Sequence, residues 1–495
     1  MTNADNSLAS LPAALIAQAE RGNILSLYEL YKNYSQGRYT DKNQQLADDY
    51  LALLLRKSRT LSLGVDKIQL HQFRHFEQLE LIFDERLTVL IGDSGSGKTS
   101  IIEAVAFLLS WVFNRTISAT GQGRQLQQDD IQARAVDYTQ ISGQFRLTPE
   151  THFDLSAVRM REGWPGRIRS ELVASTEVGE ILRLLAQKKP DVELPVFAFY
   201  SVKRAAADYP KSIAEHGIKA RLQSRFNAYR DAFDASQGIH KWQEQYIELS
   251  NLAQSDDKCA RHYQQKLHHL NAAIQHIVPY VQDMEVDRSS GAAQIKLTSF
   301  DNRIYFDQLS QGLKTLSAMV ADLALRLLCL NSASARPFAA PGVVLIDEIE
   351  LHLHPTLQQK ILHNLQLTFP HIQFIVTTHS PQILTTVHKQ SIRKISTVNG
   401  KTQIVIPTYQ TQGVASADVL EQILDTYAVP EIEQAQWVEE YEALIQLGQW
   451  ETRQAQQLLK KLDGHFGKQH PIMQQLNSLM RLSKLKRKIG NSDNE

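Results

Sequence analysis

Residues 92–99 read Gly92-Asp93-Ser94-Gly95-Ser96-Gly97-Lys98-Thr99. An apolar run at 87–91 precedes this stretch, and an apolar pattern with helical spacing follows it from Ser100. A strand, a glycine-rich loop and a helix in this order form a phosphate-binding loop. The glycines let backbone N–H groups converge on phosphate oxygens, and the helix N-terminus adds a partial positive charge. We therefore predict that residues 92–100 bind a nucleotide, with Lys98 at the β- and γ-phosphates and Thr99 at Mg²⁺.

The composition is that of an ordinary globular protein. Of its 495 residues, 43% are hydrophobic and 21% are charged, and Lys+Arg equals Asp+Glu at 53 each, so any nucleic-acid-binding surface has to be local. Cys259 and Cys329 have neither metal-ligand nor disulfide spacing, which fits a reducing compartment. The sequence has no apolar run typical of a membrane span and no signal-peptide pattern, so we predict a cytoplasmic location.

The sequence pattern divides the chain into five predicted regions. They are a helical segment at 1–60, a lobe with the phosphate loop at 61–210, a helical insertion at 211–280, a second lobe at 281–430 and a helical region at 431–495. Strands and helices alternate in the second lobe, which predicts an α/β fold with parallel strands and crossover helices. The first segment resembles one tetratricopeptide-like repeat, and a plain helical lid explains its pattern equally well.

Two further apolar runs end in residues suited to catalysis. The first, at 343–346, ends in Asp347 and Glu348. A buried strand would deliver Asp347 rigidly to the sheet edge, where it can hold Mg²⁺, and place Glu348 where a general base activates the attacking water. The second run, from 374, ends in His379, which could contact the γ-phosphate or orient that water. We predict Glu348 and His379 as catalytic residues and Thr99 and Asp347 as metal ligands.

A fourth motif lies between the phosphate loop and these acids. A short turn precedes a strongly apolar helical pattern, and its polar members are Ser310, Gln311 and Gly312. A turn of this kind at a helix N-terminus is a second anion site.

In this order the motifs resemble those of the ABC-type ATPase superfamily. Residues 92–99 match its Walker A motif, 309–312 its signature, 343–348 its Walker B motif and His379 its switch histidine. The resemblance implies an ABC-type ATPase head, a mixed sheet with flanking helices, and Mg²⁺-dependent ATP hydrolysis. It also implies a homodimer or higher homo-oligomer, since ATP would lie between head-to-tail protomers, with residues 310–312 of one chain at the γ-phosphate held by Lys98 of the other.

The segment before the phosphate loop indicates a branch of this superfamily. Its pattern Ile68-x-Leu70-x-x-Phe73-Arg74-x-Phe76 resembles the RecF/SMC/OLD group. The chain departs from that group at Ser94, where Asn is usual, and we expect binding to survive because phosphate contacts are mostly from the backbone. The group's Mg²⁺-binding glutamine corresponds to Gln140 or Gln144, and the sequence leaves both open.

The sequence lacks two features that are typical of other members of this group. The helical insertion is too short for the long coiled coil of SMC proteins. After residue 410 the sequence has no apolar strand ending in the acidic residues that a Toprim nuclease needs, so we expect no nuclease activity of its own. Residues 194–204 and 346–355 then resemble the ATPase of Septu-type anti-phage systems (the PtuA family), and the N-terminal helical segment favours the retron-associated form.

This resemblance implies partners and a function. Septu-type ATPases assemble with a separate HNH nuclease (PtuB-like), and retron versions also join a reverse transcriptase with its single-stranded DNA. We predict an ATPase subunit that controls such a nuclease, docked on the C-terminal helices. The alternative is a RecF/SMC-like DNA repair ATPase that binds DNA directly. Basic clusters at 484–488 and 159–169 fit either phosphate contacts or a solvated surface.

Overall fold

The computed structural model describes residues 12–206, 224–233, 239–255, 259–289, 291–398 and 401–492. Part of the predicted helical insertion, 207–223 with 234–238 and 256–258, therefore lies outside the described residues. The chain forms two compact units, Met1–Ser416 and Ala417–Glu495, which are described separately below. The five predicted regions stay a prediction.

Thirteen strands form three sheets in the described part of the chain. In chain order they are β1 (Gly64–Phe73), β2 (Phe76–Ile82), β3 (Leu87–Ile91), β4 (Tyr138–Thr148), β5 (Thr151–Met160), β6 (Val196–Tyr200), β7 (Gln282–Asp287), β8 (Gln294–Ser299), β9 (Asn302–Tyr305), β10 (Gly342–Ile346), β11 (Ile372–Thr377), β12 (Ile392–Val398) and β13 (Lys401–Val405).

Fourteen α-helices lie within the same described ranges. They are α1 (Ala13–Glu20), α2 (Ile24–Gln36), α3 (Gln44–Lys57), α4 (Lys98–Ile117), α5 (Val173–Lys188), α6 (Trp242–Gln254), α7 (Ala260–Ile277), α8 (Gln311–Leu330), α9 (Pro355–Thr368), α10 (Pro381–Leu384), α11 (Ser416–Gln422), α12 (Glu433–Gln446), α13 (Arg453–Phe466) and α14 (Pro471–Ser492).

The central sheet of the first unit is six-stranded, in the order β13-β12-β3-β11-β10-β6. The five strands from β12 to β6 are parallel, and β13 pairs antiparallel with β12. Strands β3, β6, β10 and β11 are buried along their whole length, which is why they read as continuous apolar runs. The predicted α/β class with a mixed sheet is confirmed, and the parallel strands bring their carboxyl ends to one edge.

Two long helices pack against this sheet. Fourteen of the twenty residues of α4 and eighteen of the twenty residues of α8 are buried. Among the described residues, α4 is the one helix long and apolar enough to cross a membrane, and 67% of its apolar window is buried inside the protein. A core helix meets the same criterion, and its burial here is that of a core helix.

The second sheet is antiparallel, in the order β2-β1-β4-β5. Strands β1 and β2 are joined by a tight turn in which Arg74 has a positive φ of 54°. The remaining three strands, β7 to β9, form a small antiparallel sheet. The turn between β1 and β2 contacts the phosphate loop, since His75 Nε2 lies 3.2 Å from the Ser96 carbonyl oxygen.

The N-terminal helices pack on the body of the first unit. The Ile24 amide donates to Thr151 Oγ1 over 2.9 Å at the turn between β4 and β5. Tyr28 Oη and Lys32 Nζ both bind Glu180 Oε2 on α5, each at 2.9 Å. Ile24, Leu27 and Leu30 are fully buried, so the apolar face of α2 is covered by the protein's own residues.

The second unit contains a helical core of its own. Helices α12 to α14 bury a cluster made of Tyr441, Ile445, Trp450, Ala455, Leu458, Leu462, Met473 and Leu476. Some apolar side chains of this unit face solvent, since Leu447 is 66% exposed and Leu482 on α14 is 57% exposed. The docking role predicted for these helices stays a prediction.

Candidate active site

The phosphate loop connects β3 to α4 in a shape that requires glycine. Gly92, Gly95 and Gly97 have positive φ angles of 146°, 82° and 97°, a region that residues with a Cβ rarely adopt. A Cβ on Gly97 would lie 2.1 Å from His75 Nε2, on the turn between β1 and β2. A Cβ on Gly95 would meet nothing within 4 Å. The loop therefore has a close neighbour at one end and an open middle, as a phosphate cradle requires.

Lys98 is folded back over this loop. Its Nζ donates to the carbonyl oxygens of Gly92 at 2.8 Å and Asp93 at 2.9 Å. Burial lowers the pKa of Lys98, and the nearby carboxylates of Asp347 and Asp93 oppose that shift. The ammonium group thus lies over the loop whose N–H groups would bind a phosphate.

Asp347 connects the phosphate loop to two strands of the sheet. It follows β10 directly and is only 1% exposed. Thr99 Oγ1 donates to Oδ2 at 2.9 Å, and Thr377 Oγ1, at the end of β11, donates to Oδ1 at 2.6 Å. Two of the predicted site residues from distant parts of the sequence are therefore in direct contact.

The donor set fits Mg²⁺, which prefers oxygen ligands and keeps several waters. Thr99 and Asp347 supply a hydroxyl and a carboxylate at one point. Within the described ranges no cluster of three or more His, Cys, Asp or Glu side chains could hold a metal ion. A cation here would complete its shell with phosphate oxygens and water, so the site fits a metal that arrives with a nucleotide.

Glu348 is half-buried beside Asp347 in an unusual backbone conformation. Its φ is 47°, in the left-handed region, and its amide donates to Thr377 Oγ1 at 2.7 Å. One threonine hydroxyl thus contacts both predicted acidic residues. Sequence reasoning did not single out Thr377, although it stands among polar residues at the end of an apolar strand, which is the signal that marked His379.

His379 lies two residues beyond β11 and is exposed. Its backbone N–H donates to Glu350 Oε1 at 2.5 Å, which ties it to the segment that follows β10. The structure brings His379 and the Asp347–Glu348 pair to the same edge of the sheet. Its catalytic role stays a prediction.

The predicted signature turn begins α8. Ser310 is the N-cap residue, and its side chain makes no capping hydrogen bond. Gly312 lies against the segment after β10, since a Cβ there would stand 2.1 Å from the His352 carbonyl oxygen. Gln311 Nε2 donates to the Ala205 carbonyl oxygen at 3.0 Å. In the described part of the chain, residues 310–312 make no hydrogen bond to the phosphate loop of their own protomer.

The two alternatives for the Mg²⁺-binding glutamine both lie on β4. Gln140 Nε2 donates to Ser156 Oγ at 2.7 Å, within the second sheet, and Gln144 is exposed. A third glutamine, which the sequence analysis did not single out, lies nearer the phosphate loop. Gln132 Nε2 donates to the His75 carbonyl oxygen at 3.4 Å, and His75 Nε2 lies 3.2 Å from the Ser96 carbonyl oxygen in the loop. Gln132 lies in the polar segment before β4, and no sequence pattern marks it.

Known proteins resemble the chain over this same region and beyond. Residues 87–385 match the profile of the family described as "AAA domain, putative AbiEii toxin, Type IV TA system". The Retron Ec83 probable ATPase of Escherichia coli is 26% identical, covering 94% of this chain and 95% of the relative. The Retron Vc95 probable ATPase of Vibrio cholerae serotype O1 biovar El Tor is also 26% identical, covering 91% and 97%.

A third relative comes from the Septu systems. The Septu protein PtuA of Bacillus mycoides (strain KBAB4) is 21% identical, covering 64% of this chain and 38% of the relative. These matches confirm the predicted similarity to retron-associated and Septu ATPases, and the domain match confirms the predicted ATPase class.

Gly97→Ala tests the geometry of the loop. The new methyl group would clash with His75 and strain the backbone, so we expect ATP affinity to fall by about two orders of magnitude or more, about 3 kcal/mol. Gly95→Ala is the matched control because it carries the backbone strain without the clash, and its loss should be about tenfold. Titration with a fluorescent ATP analogue measures both. Equal affinities for the two variants would contradict this geometry.

Proposed function

We propose that the chain, which belongs to the AAA-domain family that matches residues 87–385, binds and hydrolyses ATP. Its similarity to the retron and Septu ATPases supports the further proposal that it is the ATPase subunit of a cytoplasmic anti-phage defence complex of that type. The observation that carries the proposal is the contact of Thr99 Oγ1 with the buried Asp347 carboxylate, 2.9 Å apart. It joins the phosphate loop to the acidic pair, as hydrolysis of a Mg²⁺-bound nucleotide requires.

In this proposal each residue has a defined task. The backbone of residues 92–100 binds the phosphates, and Lys98 neutralises charge on the β- and γ-phosphates. Thr99 and Asp347 would hold Mg²⁺, which neutralises the charge developing on the phosphate oxygens. Glu348 accepts a proton from the attacking water, and the exposed His379 orients the γ-phosphate or that water.

We place the complete site between two protomers. Ser310 begins the buried helix α8 with a side chain that caps nothing, and residues 310–312 have no hydrogen bond to their own phosphate loop in the described part of the chain. The N-terminus of a 20-residue helix favours an anion. In a head-to-tail dimer, Ser310, Gln311 and Gly312 of one protomer would meet the γ-phosphate held by Lys98 of the other.

The proposed partner is an HNH nuclease of the PtuB-like kind, joined in retron systems by a reverse transcriptase with its single-stranded DNA. Both retron relatives are similar over more than nine-tenths of this chain, so the likeness includes at least part of the second unit. That unit has its own core and exposes Leu447 and Leu482, which suits a docking surface.

A mixture of two inactive variants tests the shared site. Lys98→Ala removes the phosphate contact, and Ser310→Arg blocks the signature turn, so each homodimer should be inactive. If the sites form between protomers, a 1:1 mixture makes half of the dimers from one copy of each variant. Each of these mixed dimers has one intact site of its two, so the mixture should recover about a quarter of wild-type ATP hydrolysis. Phosphate release measures this recovery. A mixture that stays inactive although the subunits exchange would contradict the shared site.

Co-expression with a PtuB-like HNH nuclease tests the partner. We expect the two proteins to co-elute in size-exclusion chromatography. Leu447→Glu on the second unit should weaken the complex about tenfold or more, whereas Ile82→Glu, an equally exposed apolar residue on β2 at 60%, should not. A chain that elutes without the nuclease would contradict the proposal. ATP hydrolysis stimulated by DNA in the isolated chain would favour the DNA repair alternative.

A further inference from the structure

A buried arginine holds the backbone of both acidic residues. Arg204 lies in the 3₁₀ turn Val202–Ala206 that follows β6, and it is 2% exposed. Its Nη1 donates to the Asp347 carbonyl oxygen and its Nη2 to the Glu348 carbonyl oxygen, each at 2.5 Å. Neither the motifs nor the proposed function gives this residue a task.

The backbone of Glu348 needs such support. A glutamate at a φ of 47° is disfavoured by about 1–3 kcal/mol and persists only where the surroundings fix it. Thr377 Oγ1 fixes the amide side of the residue, at 2.7 Å from its nitrogen, and Arg204 fixes the carbonyl side. The two contacts together set the direction in which the Glu348 side chain leaves the backbone.

The chemistry of the contact requires the shape of an arginine. A guanidinium is a planar fork of five N–H donors, so it can bind two adjacent carbonyl oxygens at once, whereas an ammonium group is a point charge on a flexible stem. Nη1 also donates to the Ser201 carbonyl oxygen at 3.0 Å. The fork therefore joins the end of β6 to the residues after β10.

The same turn contacts the predicted signature motif. The carbonyl oxygen of Ala205, next to Arg204, accepts a hydrogen bond from Gln311 Nε2 at 3.0 Å. A short path thus runs from the start of α8 through Ala205 and Arg204 to the backbone of Glu348.

We propose that Arg204 is a positioning residue for hydrolysis. It holds the strained Glu348 backbone so that the carboxylate points at the attacking water. Through Ala205, which accepts the hydrogen bond from Gln311, it connects the position of this carboxylate to residues 310–312. This inference rests on the proposed function, in which Glu348 is the general base. Arg204 itself does not contact the substrate.

Another arginine offers a matched control. Arg225 also donates to backbone carbonyl oxygens, to Leu330 and Val192 at 2.5 Å and to Pro190 at 3.1 Å. These acceptors lie away from the acidic pair. Arg225→Lys therefore removes the same kind of contact from a place where only stability should respond.

The test separates turnover from binding. Arg204→Lys keeps the buried charge, and Arg204→Gln keeps two N–H donors without it. For each folded variant we expect kcat to fall about 10- to 100-fold while KM and ATP affinity stay within about threefold, because misplacing a catalytic group costs rate rather than binding. Arg225→Lys should lower the melting temperature and leave kcat within about twofold. Folding is checked by the melting temperature and by ATP affinity.

A double-mutant cycle with Glu348→Gln completes the test. If Arg204 acts through Glu348, adding Arg204→Lys to the Glu348→Gln variant should lower its kcat by less than about twofold. The inference is overturned if either folded Arg204 variant has the kcat of Arg225→Lys. It is also overturned if Arg204→Lys lowers kcat by the same factor with and without Glu348→Gln. Wild-type turnover by Glu348→Gln would instead refute the general base of the proposed function.

Discussion

The Asp347 carboxylate is the contact on which the rest of the site depends. Its two oxygens accept hydrogen bonds from Thr99 at 2.9 Å and from Thr377 at 2.6 Å. At 1% exposure, a carboxylate that lost one of these partners would keep a buried, poorly satisfied charge, which costs about 1–3 kcal/mol or more. The contact is possible because β3, β11 and β10 are adjacent and parallel, so their carboxyl ends meet at one edge.

The backbone on both sides of that contact enters the left-handed region of φ, which glycine adopts freely and glutamate does not. Gly92 and Gly97 on one side and Glu348 on the other have positive φ angles, while the strands that carry them are regular and buried. Rigid strands allow strain of this kind to persist, because the surrounding packing and hydrogen bonds leave the chain no relaxed alternative. For Glu348 the fixed points are Thr377 and Arg204. The strain at Glu348 therefore supports the proposal that the position of its carboxylate matters for hydrolysis.

The sequence predicted those parts of the molecule whose physics is local. Buried parallel strands appear as apolar runs, so the fold class could be inferred from their alternation with helices in the second lobe. A loop that needs positive φ appears as glycines, so the phosphate loop could be inferred from residues 92–99 and the apolar run before them. Arg204 could not, because it acts on main-chain atoms 143 and 144 positions away and leaves no side-chain pattern. Gln132 was missed for a similar reason, since only the fold brings it to His75.

The most direct test of the account is the metal affinity of the nucleotide complex. Free Mn²⁺, a substitute for Mg²⁺, can be measured by electron paramagnetic resonance at saturating ATP. Thr377→Val removes the hydroxyl that donates to Asp347 and accepts from the Glu348 amide. Because Asp347 is the proposed metal ligand of the two, the account predicts about 10- to 100-fold weaker Mn²⁺ binding. Thr378→Val, the adjacent buried threonine, should bind Mn²⁺ like the wild type. Unchanged Mn²⁺ affinity in Thr377→Val would contradict the central role of the Asp347 contact.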